Sequence, residues 1–267
     1  MKYKMLVVDM DDTLLTDDHK ISEENSTMLL KAQELGVYVV LASGRPTSAM
    51  IEYAKELKCD VNNSFIISYN GSTIVDLKED RILFEHSLTK DQIHSLYDFS
   101  KQNNTHIITY LNGQIISERN SEFIDIESEI TGLELVIVPN FKEAVTTSAV
   151  KCLLLEEPSY LRNVEKVLKK AMPDLSVCMS KPFFLEAAPN GVHKGAAVQI
   201  LAEKLHIHQS EIIAIGNAGN DLSMVQYAGL GVWVDNVDPE LRHLADVIVA
   251  SNNNHGVAEA VKRFILN

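Results

Sequence analysis

Cysteine is scarce in this chain of 267 residues: Cys59, Cys152 and Cys178 are odd in number, widely spaced and form no Cys-x-x-Cys pair. That pattern argues against a disulfide framework or a cysteine zinc site, and it fits a reducing, cytoplasmic setting. Long apolar runs are missing too. No stretch approaches the roughly 20 residues needed to span a bilayer, and Met1-Lys2-Tyr3-Lys4-Met5 lacks a signal-peptide core. Positive charge is in deficit, with 24 Lys and Arg against 37 Asp and Glu and a formal charge of -13. A nucleic acid or an anionic membrane would be repelled by such a surface. Internal repeats and low-complexity linkers are absent, and nothing reads as a docking segment for a protein partner.

What is present is an ordinary globular composition, 46% hydrophobic and 23% charged, in a chain long enough for one large domain or two modest ones. Residues 3–75 alternate strand and helix. Tyr3 to Val8 is a short buried strand, Ser22 opens a helix that Gly36 stops, and Val37 to Ala42 is a second buried strand. After Pro46, Met50, Ile51, Ala54 and Leu57 share one helical face, and Phe65 to Ser68 is a third strand. From about Arg81 to Leu185 the texture changes. Thr89 and Gln92 form a capping box, Asn112-Gly113 joins two strands as a hairpin, and strand–helix–strand units follow. The regular alternation returns from His193. The expected fold class is α/β: a doubly wound parallel, Rossmann-like core at 1–81 and 187–267, with an inserted α+β cap domain at 82–186.

Four fragments fall at or near strand ends. Asp9-Met10-Asp11-Asp12-Thr13-Leu14 follows the first strand, which delivers its last side chains to the carboxyl edge of the sheet. Two carboxylates so close need a cation or a proton between them. A divalent ion there would also reverse the local field, so the acidic balance does not exclude a small phosphorylated ligand. Ser43-Gly44-Arg45-Pro46 offers a hydroxyl and close backbone approach for phosphate oxygens. Lys194, at the start of a helix, sits against the helix dipole unless an anion faces it. Gly216-Asn217-Ala218-Gly219-Asn220-Asp221 has the make-up of a hard-cation or phosphate loop. Taken singly, each also reads as an ordinary turn or a surface side chain.

Together and in this order, the fragments resemble those of the haloacid dehalogenase superfamily, and more narrowly the Cof-like phosphatases, whose cap is inserted between the second and third motifs. The resemblance covers essentially the whole chain. It implies a phosphatase in which Asp9 is the nucleophile and Asp11 the general acid and base. It implies Mg2+ held by Asp9, the Asp11 main-chain carbonyl and Asn217, with Asp221 assisting. It implies phosphoryl binding by the Met10 and Gly44 amides, Ser43, Lys194 and Asn220. Arg45, Asn70 and Asn236 are further candidates for contact with a small phosphorylated metabolite, such as a sugar phosphate.

Two positions depart from the pattern. Asp12 replaces the usual glycine and is expected to point away. Asn217 stands where relatives carry aspartate, which removes a charge and lowers metal affinity by about 1–2 kcal/mol. Two other readings stay open: a phosphomutase or phosphotransferase and, because of Asn217, a catalytically weakened phosphometabolite-binding protein. His193, His206, His208 and Asn252 to Asn254 read as surface groups, Trp233 as core, and Asp125, Glu127 and Glu129 as a solvated face. Glu118 and Lys181 are possible selectors on the cap.

Overall fold

The computed structural model describes residues 2–62 and 64–266. In chain order the elements of the first part are β1 (Met5–Asp9), α1 (Glu23–Glu34), β2 (Tyr38–Ala42), α2 (Ile51–Glu56), β3 (Phe65–Ser68), β4 (Thr73–Asp76) and β5 (Arg81–Glu85). Next come α3 (Lys90–Gln102), β6 (His106–Leu111), β7 (Gln114–Ser117), α4 (Glu122–Thr131), β8 (Leu135–Ile137), α5 (Phe141–Ala144), β9 (Cys152–Leu155), α6 (Pro158–Ala171), β10 (Leu175–Lys181) and β11 (Phe184–Pro189). The last part holds α7 (Lys194–Leu205), β12 (Ile212–Gly216), α8 (Leu222–Tyr227), β13 (Leu230–Val234), β14 (Val247–Val249) and α9 (Gly256–Phe264).

The described chain divides into two units, Met1–Phe84 with His193–Asn267, and Glu85–Val192. The insert expected at 82–186 starts before the second unit and stops short of its end. β5 continues the first unit's sheet, and β11 runs on to Pro189, because Phe184-Leu185-Glu186-Ala187 pairs with β9 inside the second unit.

The first unit is an α/β sheet with strand order β14-β13-β12-β1-β2-β3-β4-β5. Neighbours from β14 to β3 are parallel, and β4 returns antiparallel to β3. Alternate residues of each strand feed opposite faces. Leu6, Val8, Val39 and Leu41 pack with Leu29, Ala54 and Val261, while Met5, Val7, Val40 and Ala214 pack with Val198, Leu201 and Met224. Burial on both faces explains why these strands read as near-continuous apolar runs. Trp233 is core, as its apolar surroundings suggested, and its indole N–H donates to Leu241 O at 2.9 Å. The predicted helix punctuation also holds: Ser22 Oγ accepts from Asn25 N, and Gly36 takes φ 84°.

The second unit has strand order β10-β11-β9-β6-β7-β8, antiparallel except for β7 with β8. Thr89 and Gln92 form the expected reciprocal cap of α3, and Asn112 and Gly113 take the positive φ angles that the β6–β7 turn needs. α3 and α6 pack Leu96 and Leu161 on Leu154 and Leu185, while Ile124 of α4 joins Tyr110 and Leu153. The solvated face expected around residue 127 is therefore partly wrong. Glu127 is buried, accepts the Tyr110 hydroxyl, and is pushed upward in pKa by that burial. Glu118 is a structural brace that accepts from Tyr97, Lys101 and the Phe141 amide. Burial would raise its pKa, but those three donors hold it down at about 2.

Candidate active site

Parallel register builds the site. Val8 lies opposite Ile215 on β12, and Asp9 lies opposite Ala42 on β2. Strands of a sheet lie about 4.8 Å apart, so Asp9, Ser43 and Asn217 emerge side by side at one carboxyl edge. The strand order also reverses around β1, where open α/β sheets leave a crevice for ligands.

α7 supplies the fourth group. The Lys194 side chain is fully buried, and its Nζ lies 2.6 Å from both Asp9 Oδ1 and Asp221 Oδ1. The anion inferred from its place at a helix start is thus present twice over. Burial alone would depress this ammonium, but the two carboxylates outweigh it and hold its pKa above the ordinary lysine value. Asp9 is pushed up to about 7, first by burial and then by the negative charge of Asp221, with Lys194 opposing.

Asp221 corrects an expectation. Rather than turning toward a metal, its Oδ2 accepts the Asn217 and Ala218 amides at 3.0 and 3.2 Å, while Oδ1 holds Lys194. It stiffens the loop from inside, and Gly216 makes room for it: a Cβ there would lie 2.5 Å from Asp221 Cβ. Asn217 Oδ1 accepts the hydroxyl of Thr13 at 3.1 Å. Thr13 is a site residue that sequence reasoning passed over, and its one signal was a hydroxyl placed directly before the apolar Leu14-Leu15.

The turn after Asp9 is irregular, with Asp11 extended and Asp12 left-handed at φ 56°. Asp12 points outward as expected and is exposed. The Asp11 carboxylate is gripped by Arg45, with Nε to Oδ2 at 2.9 Å and the terminal nitrogen to Oδ1 at 2.5 Å. Arg45 was expected to touch substrate; here it positions Asp11. That pairing also holds the guanidinium above its usual pKa. Ser43 Oγ accepts the Arg45 amide at 3.1 Å, which leaves its proton to donate elsewhere, and Gly44 lies against the Asn70 side chain. Met10 is read for its amide alone, since its side chain is buried core.

Two more expected substrate contacts have structural partners instead. Asn236 Nδ2 donates to Asp12 O at 2.7 Å, and its Oδ1 accepts the Asn252 amide. Asn70 Oδ1 accepts Asn220 Nδ2 at 3.1 Å. Asn252, read as part of a plain polar loop, is buried and donates to Leu15 O and Asp17, while Asn25 donates to Leu14 O. Three asparagines thus bind the carbonyls of residues 12, 14 and 15. A buried asparagine in a polar run carries no signal until its partners are seen.

Among the described residues no group of three or more His, Cys, Asp or Glu side chains is arranged to hold a metal. Oxygen groups at this edge include the Asp9 carboxylate and the Asn217 amide oxygen. Mg2+ accepts such a sparse set, because it keeps several waters and takes the rest of its shell from substrate phosphate. Asp9, Asp11 and Asp221 also exceed Lys194 and Arg45 by one negative charge, so a cation fits the local balance.

The doubly wound sheet, with Asp9, Asp11 and the buried Lys194 brought to one edge, fits the haloacid dehalogenase-like hydrolases. This chain belongs to that family, whose model matches residues 6–261. YxeH of Bacillus subtilis (strain 168), provisionally named a phosphatase, is 34% identical over 267 residues and matches across 99% of each chain. The 5-amino-6-(5-phospho-D-ribitylamino)uracil phosphatase YcsE of the same organism is 30% identical, over 98% of this chain and 96% of its own. The crystal structure of a haloacid dehalogenase-like hydrolase from Bacteroides thetaiotaomicron superposes with TM-score 0.93 at 33% identity, covering 99% of this chain and 100% of that one. No helix among the described residues is long and apolar enough to cross a membrane.

Proposed function

We propose that this protein is a cytoplasmic Mg2+-dependent phosphomonoesterase that hydrolyses small phosphorylated metabolites, sugar phosphates among them, through a phosphorylated Asp9. The observation that carries the reading is the buried contact of Lys194 with Asp9 and Asp221 at the carboxyl edge of the sheet. Lys194 fixes one oxygen of Asp9, and the other attacks phosphorus as the ester P–O bond breaks. Asp11, released from Arg45 and protonated from solvent as substrate enters, gives that proton to the departing oxygen and later takes one from the water that cleaves the acyl phosphate. Ser43, Asn220, Lys194 and the Met10 and Gly44 amides hold the phosphoryl oxygens, where charge shifts during transfer. Asp9, the Asp11 carbonyl and Asn217 would hold Mg2+, which would offset the repulsion between phosphate and carboxylate. The second unit serves as the cap that selects the substrate. The relative YcsE, named for a phosphorylated ribityl compound, supports a substrate class of small phosphate esters.

A panel of phosphomonoesters assayed with Mg2+ or with EDTA, for the wild type and Asp9→Asn, tests this reading. Turnover undiminished by the substitution removes Asp9 as nucleophile. Asp11→Asn is expected to slow alkyl phosphates such as hexose phosphates by about 10²-fold or more. In single-turnover release of the alcohol, p-nitrophenyl phosphate should lose far less, because its phenolate leaves without a proton. Equal losses on both substrates in that step would take Asp11 out of leaving-group protonation.

Asn217 favours one second reading, a phosphometabolite-binding protein with little turnover, since a neutral amide stands among the metal donors. Asn217→Asp is expected to tighten Mg2+ binding by about five- to thirtyfold, the equivalent of about 1–2 kcal/mol, in calorimetric titration without substrate. No change would place the ion elsewhere. Binding of phosphosugars with Mg2+ but no turnover across the panel would favour the second reading.

A further inference from the structure

Three successive residues after β3 have positive φ: Tyr69 at 50°, Asn70 at 55° and Gly71 at 108°. An aromatic residue in the left-handed region is a conformational outlier, and such outliers persist where surrounding contacts over-determine them. Here they do. The Tyr69 and Asn70 amides donate to Arg45 O and Ser43 O, both at 3.0 Å. Gly71 packs so closely on the start of α7 that a Cβ would stand 2.6 Å from His193 O. A Cβ on Gly44 would stand 3.1 Å from Asn70 Nδ2. The segment therefore touches the Ser43 loop, the residue before Lys194 and, through the Asn70 side chain, Asn220 of the loop after β12.

We infer that Asn70 is a positioning residue: it fixes the amide plane of Asn220, and through Asn220 it sets how tightly the site holds the phosphoryl group. Asn220 is exposed, so its side chain is otherwise free to rotate. One Nδ2 hydrogen goes to Asn70 Oδ1, and planarity then dictates where the second hydrogen points. The left-handed turn in turn aims Asn70 Oδ1. This inference rests on the proposed role of Asn220 as a phosphate donor.

Asn70→Gly tests it without stressing the fold, because glycine accepts the same φ. The measurement is calorimetric binding of inorganic phosphate with Mg2+ present, for the wild type, Asn70→Gly, Asn220→Ala and the double variant, with thermal melts alongside. Asn220→Ala should weaken phosphate about tenfold, as expected for a lost hydrogen bond to a charged group. Asn70→Gly should weaken it severalfold with an unchanged melt, and the double variant should bind no worse than Asn220→Ala alone. Losses that multiply in the double variant would mean that Asn70 acts independently of Asn220, which overturns the inference. So would an Asn70→Gly protein that binds phosphate like the wild type while Asn220→Ala does not. If Asn220→Ala itself has no effect, the role of Asn220 fails and the inference falls with it. An inactive wild type that still shows the non-multiplying pattern would sink only the hydrolytic reading.

Discussion

Replacing Lys194 with methionine is expected to cost about 3–5 kcal/mol of stability and to abolish turnover. Methionine fills a similar volume but removes the one cation 2.6 Å from two buried carboxylates. Asp9 and Asp221 would then repel each other in a medium that screens them poorly. Part of the loss should return in the double variant Lys194→Met, Asp221→Asn, which buries one charge fewer. Urea unfolding of the wild type and both variants checks this. Equal stability of all three would mean that the triad does not hold this edge together.

Asp9→Asn is expected to lower turnover by on the order of 10⁴-fold or more, since an amide does not form the acyl phosphate. Its effect on stability has a definite sign. Burial, then Asp221, pushes the Asp9 carboxyl from 3.8 up to about 7 in the fold. The folded state therefore binds a proton that the unfolded chain has already released. That contribution is full below about pH 4 and is lost as pH rises through about 7. In EDTA, melting of the wild type should fall relative to Asp9→Asn between those two pH values. A constant difference between the two proteins would show that Asp9 carries no such shift.

Much of the fold was legible because its signals are local. The apolar run before Asp9, the Ser22 and Thr89 caps and the Asn112-Gly113 turn each depend on neighbours in sequence, and each holds in the structure. Less legible was whatever depends on a distant partner. Arg45 read as a substrate contact because nothing in Ser-Gly-Arg reveals the carboxylate 34 residues away that it grips. Glu127 read as solvated because its partner Tyr110 lies on another element. Asn236, Asn252 and Asp221 likewise satisfy main-chain groups of other loops or of their own, a use of polar side chains that composition does not distinguish from exposure.

The sequence by itself determined which residues stand at the carboxyl edge. Buried parallel strands must end there, and the residues that follow them, Asp9, Ser43 and Asn217, are adjacent once those strands pair in register. Only the tertiary structure decided what those residues do to one another. Lys194 meets Asp9 across 185 positions of chain, and a second unit is folded in between. Charge, burial and pKa at such a contact depend on distance through space, which local sequence does not encode.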